Sequence, residues 1–475
     1  MSFKVISRNV GYALLVSALF MLVGVIIAAS GKGDTSLVPL AVSFLITFIS
    51  GVFPMIFVRR TPSITLREGY VIIVLSWLLS FVFGMLPYVL WGGPFTVSNA
   101  WFESVSGFTT TGATILNDIE ALPPGLQFWR CSTHFIGGLG VVVFLLLIIP
   151  ESSPVRLRLT NMELSTLSKS TYFTRSNRTV YVFAYIYLGI CLGAFICYVL
   201  AGMPVLDAVC HAFSVCATGG FSTRNLSIGA NNSLWIEGIT MLFMFLSSIH
   251  FGLLFLAIVT HSLRPLRNPV LRFYLAALVL FTVLDAVAMK AGGVETSLPG
   301  ALWNGAFQTL CVATTSGFSI VSADAWPPLP EILLFFGVMC ACAGSTTGGV
   351  KADRILIFFK ALGRQISHSL HPSSVHEVRL GGKSLHEEDV YPHMLYLTLY
   401  LVLIAVSAVL VIGMGVDHHD AVIASVSAMG DLGPGAFSTM PDGAKVLFSF
   451  NMFLGRIEIY PVLAVLAMIF DRRRH

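Results

Sequence analysis

Apolar runs of about 20 residues, long enough for a helix to cross a hydrocarbon core about 30 Å thick, recur along the whole chain. Hydrophobic residues make up 56% and charged residues 11% of the 475 residues, a balance outside that of soluble domains. The sequence therefore predicts an all-α polytopic membrane protein. The predicted spans lie near 10–30, 39–58, 70–91, 128–149, 180–201, 235–261, 271–290, 331–360, 393–414 and 445–470.

The basic residues indicate how the chain is oriented. Most of the 28 Lys and Arg fall in alternate connections, notably 151–179 and 351–383. The positive-inside rule places those connections, with both termini, in the cytoplasm. Separate basic clusters between spans fit contact with anionic lipid head groups better than nucleic acid, which we do not expect as a partner.

Four of the outer connections contain a shared repeat. Each carries an apolar stretch of about ten residues, too short to cross a bilayer, followed by a cluster of Thr, Ser and Gly. The stretches align on Gly112, Gly220, Gly317 and Gly433. At one fixed offset before these glycines stand Asn99, Asp207, Asn304 and Asp420, and at a second stand the small residues Ser106, Ser214, Cys311 and Ser427.

The repeat predicts four short re-entrant helices. Asn and Asp are preferred N-cap residues, so the four at the first offset are predicted to cap these helices. Each C-terminal end carries about half a negative charge, and four such ends aimed at one centre favour a cation there. Bare carbonyls at membrane depth require a water-filled cavity or burial in protein. A single copy is equally compatible with an external turn, but four copies in register favour four helix, pore-loop, helix units in a pseudo-fourfold arrangement.

The segments around the glycines are predicted to form a selectivity filter. Rings of carbonyls that replace a hydration shell are the means by which potassium filters bind their ion. We therefore expect K⁺ as the transported ligand, no tightly bound cofactor, and no metal other than K⁺ at the filter. The predicted filter residues are Thr110, Thr111, Gly112, Thr218, Gly219, Gly220, Thr315, Ser316, Gly317, Asp431, Leu432 and Gly433.

These segments resemble those of the Trk/Ktr/HKT superfamily of potassium transporters, most closely its bacterial Trk branch. The motifs that carry the resemblance are 109–114, 217–222, 314–319 and 431–435. The resemblance implies two extra N-terminal transmembrane helices, potassium uptake across the bacterial cytoplasmic (inner) membrane, a homodimer, and a cytosolic nucleotide-binding regulatory partner of the TrkA type. In the superfamily, serine in place of the first filter glycine accompanies sodium transport, so Gly112 favours potassium. Asp431 stands where this branch is expected to have Asn, and a carboxylate there would bind cations more tightly.

The eighth apolar run contains a stretch of poor helix formers, so its helix is predicted to break beneath the filter. By resemblance this stretch is a gating loop, whereas a tight helix crossing would also use small residues. Arg456 and Glu458 lie deep in the last span, where charges are costly. By resemblance Arg456 is an electrostatic brake below the filter, and the alternative is a structural pair with Glu458 or Asp431. The predicted gate comprises Gly344, Ser345, Thr346, Thr347, Gly348, Gly349 and Arg456.

We divide the chain into an N-terminal two-helix unit and four pore repeats. The long connection with His368, His371, His376 and His386 reads as a solvated linker or, together with 151–179, as the docking region of the cytosolic regulator. Pro372 and Gly381-Gly382 argue against one continuous helix there. The run 417–420 reads as a loop rather than a metal site. The predicted boundaries are 1–60, 61–150, 151–264, 265–365 and 366–475.

The predicted function is conduction of potassium down its electrochemical gradient. No phosphate-binding Gly-rich loop is present in the sequence, so any nucleotide dependence must come from a partner. The alternative is a symporter that couples K⁺ or Na⁺ to H⁺ or a second ion through Asp431, Glu103 or Glu458. An enzyme is not expected, because no nucleophile, base and metal set converges.

Overall fold

The computed structural model describes residues 2–31, 33–58, 65–148, 176–295, 297–320, 336, 339, 341–372, 377–380, 383–385, 387–457 and 459–471. Regular structure in these residues is almost entirely helical. Among these described residues, six helices are long and apolar enough to cross a membrane, or up to eight spans if each of two bent helix pairs is counted as one. The predicted polytopic helical fold is confirmed.

Two long apolar helices precede the repeats, as predicted. Helix α1 spans Phe3–Ser30 and α2 spans Leu37–Phe57. They cross where Gly11 and Gly51 meet: a Cβ at Gly11 would lie 2.6 Å from the Gly51 carbonyl oxygen. Close approach through small residues is the usual way for helices to associate in lipid. Helix α1 also packs against the first repeat.

The first repeat begins at a capping box, in which Thr65 and Glu68 exchange side-chain and backbone hydrogen bonds. This arrangement satisfies amides that the first helical turn leaves free. The third helix of the repeat has 12 residues and is too short to cross a bilayer. The helices of this repeat are α3 (Leu66–Gly84), α4 (Leu86–Trp91), α5 (Val97–Phe108) and α6 (Pro124–Ile148).

The second repeat contains a bend that the sequence did not predict. The span expected near 235–261 is two helices that meet at 100°. His250 caps the second of them, because its Nδ1 accepts from the Gly252 amide at 2.9 Å. The elements are α7 (Ser176–Leu200), α8 (Val205–Ala217), a 3₁₀ turn (Ser227–Asn231), α9 (Leu234–Ser248), α10 (Phe251–Val259) and a 3₁₀ turn (Arg264–Arg267).

The third repeat contains the predicted helix break. Residues 341–351 have no helix, and the chain becomes helical again at Ala352. Except for residues 336 and 339, the part of the expected span from 331 to 340 lies outside the described residues. The helices are α11 (Pro269–Ala291), α12 (Leu298–Ala313) and α13 (Ala352–Leu370).

The fourth repeat departs from prediction in two places. After α13 ends, a two-stranded antiparallel hairpin pairs Val378 with Leu385. The connection was correctly expected not to be one continuous helix, but the strands were not predicted by the all-α fold class. The span expected near 445–470 is a helix pair bent by 107°. The elements are β1 (Val378–Leu380), β2 (Lys383–Leu385), α14 (Glu387–Gly413), α15 (His418–Gly430), a 3₁₀ turn (Phe437–Thr439), α16 (Asp442–Ile457) and α17 (Ile459–Asp471).

Candidate ion-conduction site

The four short helices α5, α8, α12 and α15 carry the repeat, but their predicted N-caps are wrong. Asn99, Asp207 and Asp420 lie in the first turn of their helices, and Asn304 lies further inside α12. The helices begin earlier than predicted, and their N-cap positions are held by Thr96, Pro204, Ser297 and Asp417. All of these except Pro204 accept a hydrogen bond from an amide of the first turn.

The four residues first predicted as caps have other contacts. Asn99 accepts from the Lys445 ammonium at 2.8 Å, and Asp207 pairs with Arg224 at 2.9 Å. Asn304 donates to Glu295 at 3.3 Å, and Asp420 lies beside His419. At the actual cap of α15, the hydrogen bond from the His419 amide lowers the pKa of the Asp417 carboxyl. A charged acceptor at that position favours the helix start.

The C-terminal ends of the four helices share one backbone conformation. The residue two before each glycine is left-handed, which is uncommon outside glycine and costs about 1–3 kcal/mol. The amide of the following residue then donates to the carbonyl of the small residue that stands six positions before each glycine. This hydrogen bond closes a Schellman motif. The left-handed residues are Thr110, Thr218, Thr315 and Asp431, with φ of 58°, 54°, 54° and 54°. The hydrogen bonds run from Thr111 to Ser106, Gly219 to Ser214, Ser316 to Cys311 and Leu432 to Ser427, at 2.9–3.0 Å.

The glycines of the four repeats form a closed ring. A Cβ on Gly112 would overlap the Gly219 carbonyl oxygen of the second repeat, and one on Gly220 would overlap the Ser316 oxygen of the third. A Cβ on Gly317 would lie 3.2 Å from the Leu432 oxygen, and one on Gly433 would lie 2.9 Å from the Thr111 oxygen of the first repeat. Each repeat thus contacts the next, and the fourth contacts the first. The four motifs therefore surround one axis.

Solvent access differs between the glycines and their neighbours. All four glycines are partly accessible, while the residues directly before them are buried. The buried hydroxyls include Thr110, whose Oγ1 has no hydrogen-bond partner. A ring of main-chain carbonyls, with hydroxyls and four helix C-termini behind it, is a cation-attracting environment.

The segment 341–351 lies against the side of this ring where the short helices end. Its Thr346 hydroxyl donates to the Cys216 carbonyl at the end of α8, at 3.0 Å. Its Gly348 amide donates to the Thr315 hydroxyl of the third filter segment at 3.3 Å. The same segment explains the bend in the second repeat, because the Phe251 amide at the start of α10 donates to the Gly344 carbonyl at 3.0 Å.

Two cations hold this segment. Arg456 donates to the Thr346 carbonyl at 2.5 Å and to the Gly137 carbonyl on α6 at 3.1 Å. Lys351 donates to the Thr347 hydroxyl at 3.1 Å and to the Thr347 carbonyl. Arg456 was predicted to lie below the filter. Lys351 was counted among the basic residues of a cytoplasmic connection, whereas it is buried against Thr347 of this segment. The predicted alternative pair of Arg456 with Glu458 lies outside the described residues.

Asp431 joins the filter to this segment. It is fully buried, and its Oδ1 accepts from the Thr111 hydroxyl of the neighbouring repeat at 2.7 Å. Its Oδ2 has no hydrogen-bond partner and lies against Gly348 and Gly455. The carboxylate was expected to act on the ion, and the structure adds a contact with the loop below.

Glu103 lies in a buried ion pair. It is fully buried and pairs with Arg130 of α6 at 2.6 Å. The described residues include no group of three or more His, Cys, Asp and Glu side chains able to hold a metal ion. Residues 417–420 are exposed, but the predicted loop is wrong for three of them, because helix α15 begins at His418 directly after its cap Asp417.

Four re-entrant helices whose carbonyl ends meet in a ring define a pore-loop membrane protein. A family model described as "TrkH: Cation transport protein" matches residues 40–288 and 270–473. The chain therefore belongs to the TrkH family of cation transport proteins, and so to a family of transporters and not of enzymes.

Several relatives match almost end to end. The chain is 31% identical to the Trk system potassium uptake protein TrkH of Salmonella typhimurium, over 99% of this chain and 100% of that protein. It is 32% identical to the Trk system potassium uptake protein TrkG of Escherichia coli, over 99% of both. It also superposes on the crystal structure of the potassium transporter TrkH from Vibrio parahaemolyticus with a TM-score of 0.88, at 30% identity, covering 98% of this chain and 99% of that one.

Proposed function

We propose that this protein takes up potassium across the bacterial inner membrane through a channel-like pore. The twelve predicted filter residues from Thr110 to Gly433 form its selectivity filter. The observation that carries the proposal is the closed ring, in which the glycine of each repeat contacts a carbonyl of the next. The names of the relatives, potassium uptake proteins of the Trk system, support the same ion.

The chemistry of the ring suits potassium. Main-chain carbonyls can replace the water that K⁺ sheds, and the helix C-termini behind them stabilise a single positive charge. Gly112 is the position at which a serine accompanies sodium transport in the superfamily that the chain resembles. Glycine there leaves the neighbouring Gly219 carbonyl unobstructed.

The segment 344–349 and Arg456 form the gate in this proposal. The segment touches the second and third filter repeats directly, meets Asp431 of the fourth, and is linked to α6 of the first through Arg456. Unwound backbone at this depth is tolerated because protein surrounds it. A loop held by hydrogen bonds rather than by helix can change position without breaking a helical ladder.

Arg456→Ala should raise basal potassium flux several-fold. The change removes a positive charge beneath the filter and two hydrogen bonds to the loop and α6, each worth about 1.5–3 kcal/mol when the donor is charged. Flux of ⁸⁶Rb⁺ into liposomes and its voltage dependence are the measurement. Arg456→Lys is the matched control, because it keeps the charge and loses the fork geometry. Unaltered flux and voltage dependence in Arg456→Ala would remove Arg456 from the gate.

The proposal also covers the oligomeric state, the regulatory partner and the orientation of the protein. We propose a homodimer whose cytosolic side binds a nucleotide-binding regulator of the TrkA type. Of the candidate docking region, α13 and the hairpin are described, whereas 149–175, His376 and His386 lie outside the described residues. Both termini are proposed to be cytoplasmic, and the five units with boundaries at 60, 150, 264 and 365 remain the proposed division.

Electrophysiology on the purified protein in liposomes tests the function. With opposed K⁺ and Na⁺ gradients, the wild type should reverse near the potassium equilibrium potential. Gly112→Ser, whose Cβ would overlap the Gly219 carbonyl oxygen, should lower the potassium current and reduce the remaining potassium preference roughly tenfold, about 1.4 kcal/mol. A reversal potential that shifts with pH or with sodium would favour the symporter instead. Of the groups named for that alternative, Glu103 is buried and paired with Arg130.

A further inference from the structure

One position of the repeat is polar and buried in three of the four re-entrant helices. It is one helical turn beyond the residues first taken as caps, and it holds Glu103, His211, Gln308 and, in the fourth repeat, Ala424. The three polar side chains are at most 3% exposed. Polar groups at that depth are costly unless they bond to something, so their partners indicate their role.

In the first two repeats the partner is the chain just beyond the filter glycine. Glu103 accepts from the Thr114 hydroxyl at 2.9 and 3.0 Å and from the Ile115 amide at 3.1 Å. His211 Nε2 bonds to the Ser222 hydroxyl at 2.9 Å. Thr114 and Ser222 occupy the same position after their glycines. Each helix therefore holds the outer end of its own filter segment through the same pair of repeat positions.

Arg130 connects these two holders across the boundary between repeats. Its Nε donates to Glu103 Oε1 at 2.6 Å, and its Nη1 donates to the Ser222 carbonyl at 3.1 Å. Its guanidinium carbon lies 3.5 Å from the centre of the Phe221 ring. Phe221 directly follows the filter glycine Gly220. The planar guanidinium of Arg130 thus connects the first re-entrant helix to the second filter segment.

His134, one turn further along α6, holds the same segment. Its ring stacks on Phe221 with centroids 4.1 Å apart and planes at 14°, and its Nδ1 accepts from the Phe221 amide at 3.4 Å. A Cβ on Gly219 would overlap that imidazole. The backbone of the second filter segment is therefore packed directly against α6.

A buried ion pair is weak evidence for stability, because desolvation offsets most of its attraction. Here both members of the pair also bond to chain next to the filter. Glu103 accepts hydrogen bonds beside the first filter segment, and Arg130 donates one beside the second. We propose that Glu103 and Arg130 are positioning residues that set the carbonyl geometry of the first and second filter segments, and thereby the preference for K⁺ over Na⁺, without contacting the ion. This inference rests on the proposed filter.

The test is the bi-ionic reversal potential of Glu103→Gln in liposomes. Glutamine keeps the shape of the side chain and removes the charge that Arg130 and the Ile115 amide share. We expect the permeability ratio of K⁺ to Na⁺ to fall roughly ten- to hundredfold, the usual effect of losing a group that orients an ion's ligands. Potassium current itself should persist, which a simple loss of folded protein would not allow.

Two further variants separate positioning from folding. Arg224→Gln breaks an Asp–Arg pair of the same kind on the surface of the second repeat, 2.9 Å long with Arg224 44% exposed, and should leave the ratio unchanged. Thr114→Val removes only one donor to Glu103 and should lower the ratio less than Glu103→Gln, so it serves if the latter does not fold.

The outcomes distinguish this inference from the function it rests on. A wild type without potassium-selective current would overturn the proposed function. A selective wild type with equally selective Glu103→Gln and Thr114→Val variants, whatever their thermal stability, would overturn the positioning role alone. A lowered ratio in those variants, with Arg224→Gln unchanged, supports it.

Discussion

Gly220→Ala should lower potassium flux to a small fraction of the wild-type value. Gly220 has a φ of +80°, where a side chain costs about 1–2 kcal/mol, and its new Cβ would overlap the Ser316 carbonyl oxygen and lie 2.9 Å from the Gly317 carbonyl carbon. These neighbours are backbone of the next filter segment, so they cannot rotate away as a side chain would. Strain and overlap together predict a fall in ⁸⁶Rb⁺ uptake of roughly a hundredfold, about 2.8 kcal/mol.

Gly202→Ala is the matched control. Gly202 has a φ of +90°, so alanine meets the same backbone strain, but a Cβ there would meet no atom within 4 Å. It lies between α7 and α8, outside the ring. We expect near-normal uptake. If Gly220→Ala transported like this control, the ring would not be the path of the ion.

Gly348→Ala should raise basal potassium flux strongly by displacing the loop from the filter. A Cβ on Gly348 would lie 2.5 Å from Asp431 Oδ2 and 2.6 Å from the Asp431 Cβ, much closer than van der Waals contact allows. The loop has non-helical backbone held by separate hydrogen bonds, whereas Asp431 belongs to a helix end and is also held by Thr111. The loop should therefore be the part that moves, and single-channel open probability is the measurement.

A second substitution in the same pair sharpens this test. Asp431 has a φ of 54°, which glycine adopts without strain, so Asp431→Gly removes the obstructing side chain at little cost to the backbone. Adding Asp431→Gly to Gly348→Ala should return open probability to that of Asp431→Gly alone. Gly363→Ala on α13, where a Cβ would meet nothing within 4 Å, should have no effect. Additive effects of the two substitutions would contradict a direct contact.

The repeat was predictable because its cause is local. The left-handed residue, the amide after it and the small acceptor all lie within one helix end, so the same offsets recur in each copy. The N-cap residues of the short helices were not predictable, because several side chains near each helix start could accept the hydrogen bond from the first free amides. Thr96 and Asp417 lie upstream of Asn99 and Asp420, and the sequence alone does not rank them.

Features that depend on distant contacts were missed. Nothing near Ile249 and His250 breaks a helix by itself, and the bend forms where the Phe251 amide meets the Gly344 carbonyl. The Glu103–Arg130 pair likewise needs two elements of the first repeat to pack together. Such pairs become visible only when the fold brings their helices into contact.

The four quarters of this ring belong to one polypeptide, and that has a consequence for how the pore can vary. In a tetramer of identical subunits, any amino-acid change appears four times around the axis, and four buried carboxylates close together would repel one another strongly. Here a single codon alters a single wall. One acidic side chain at position 431, beside three threonines at the matching places, is therefore tolerable, and each wall is free to diverge on its own.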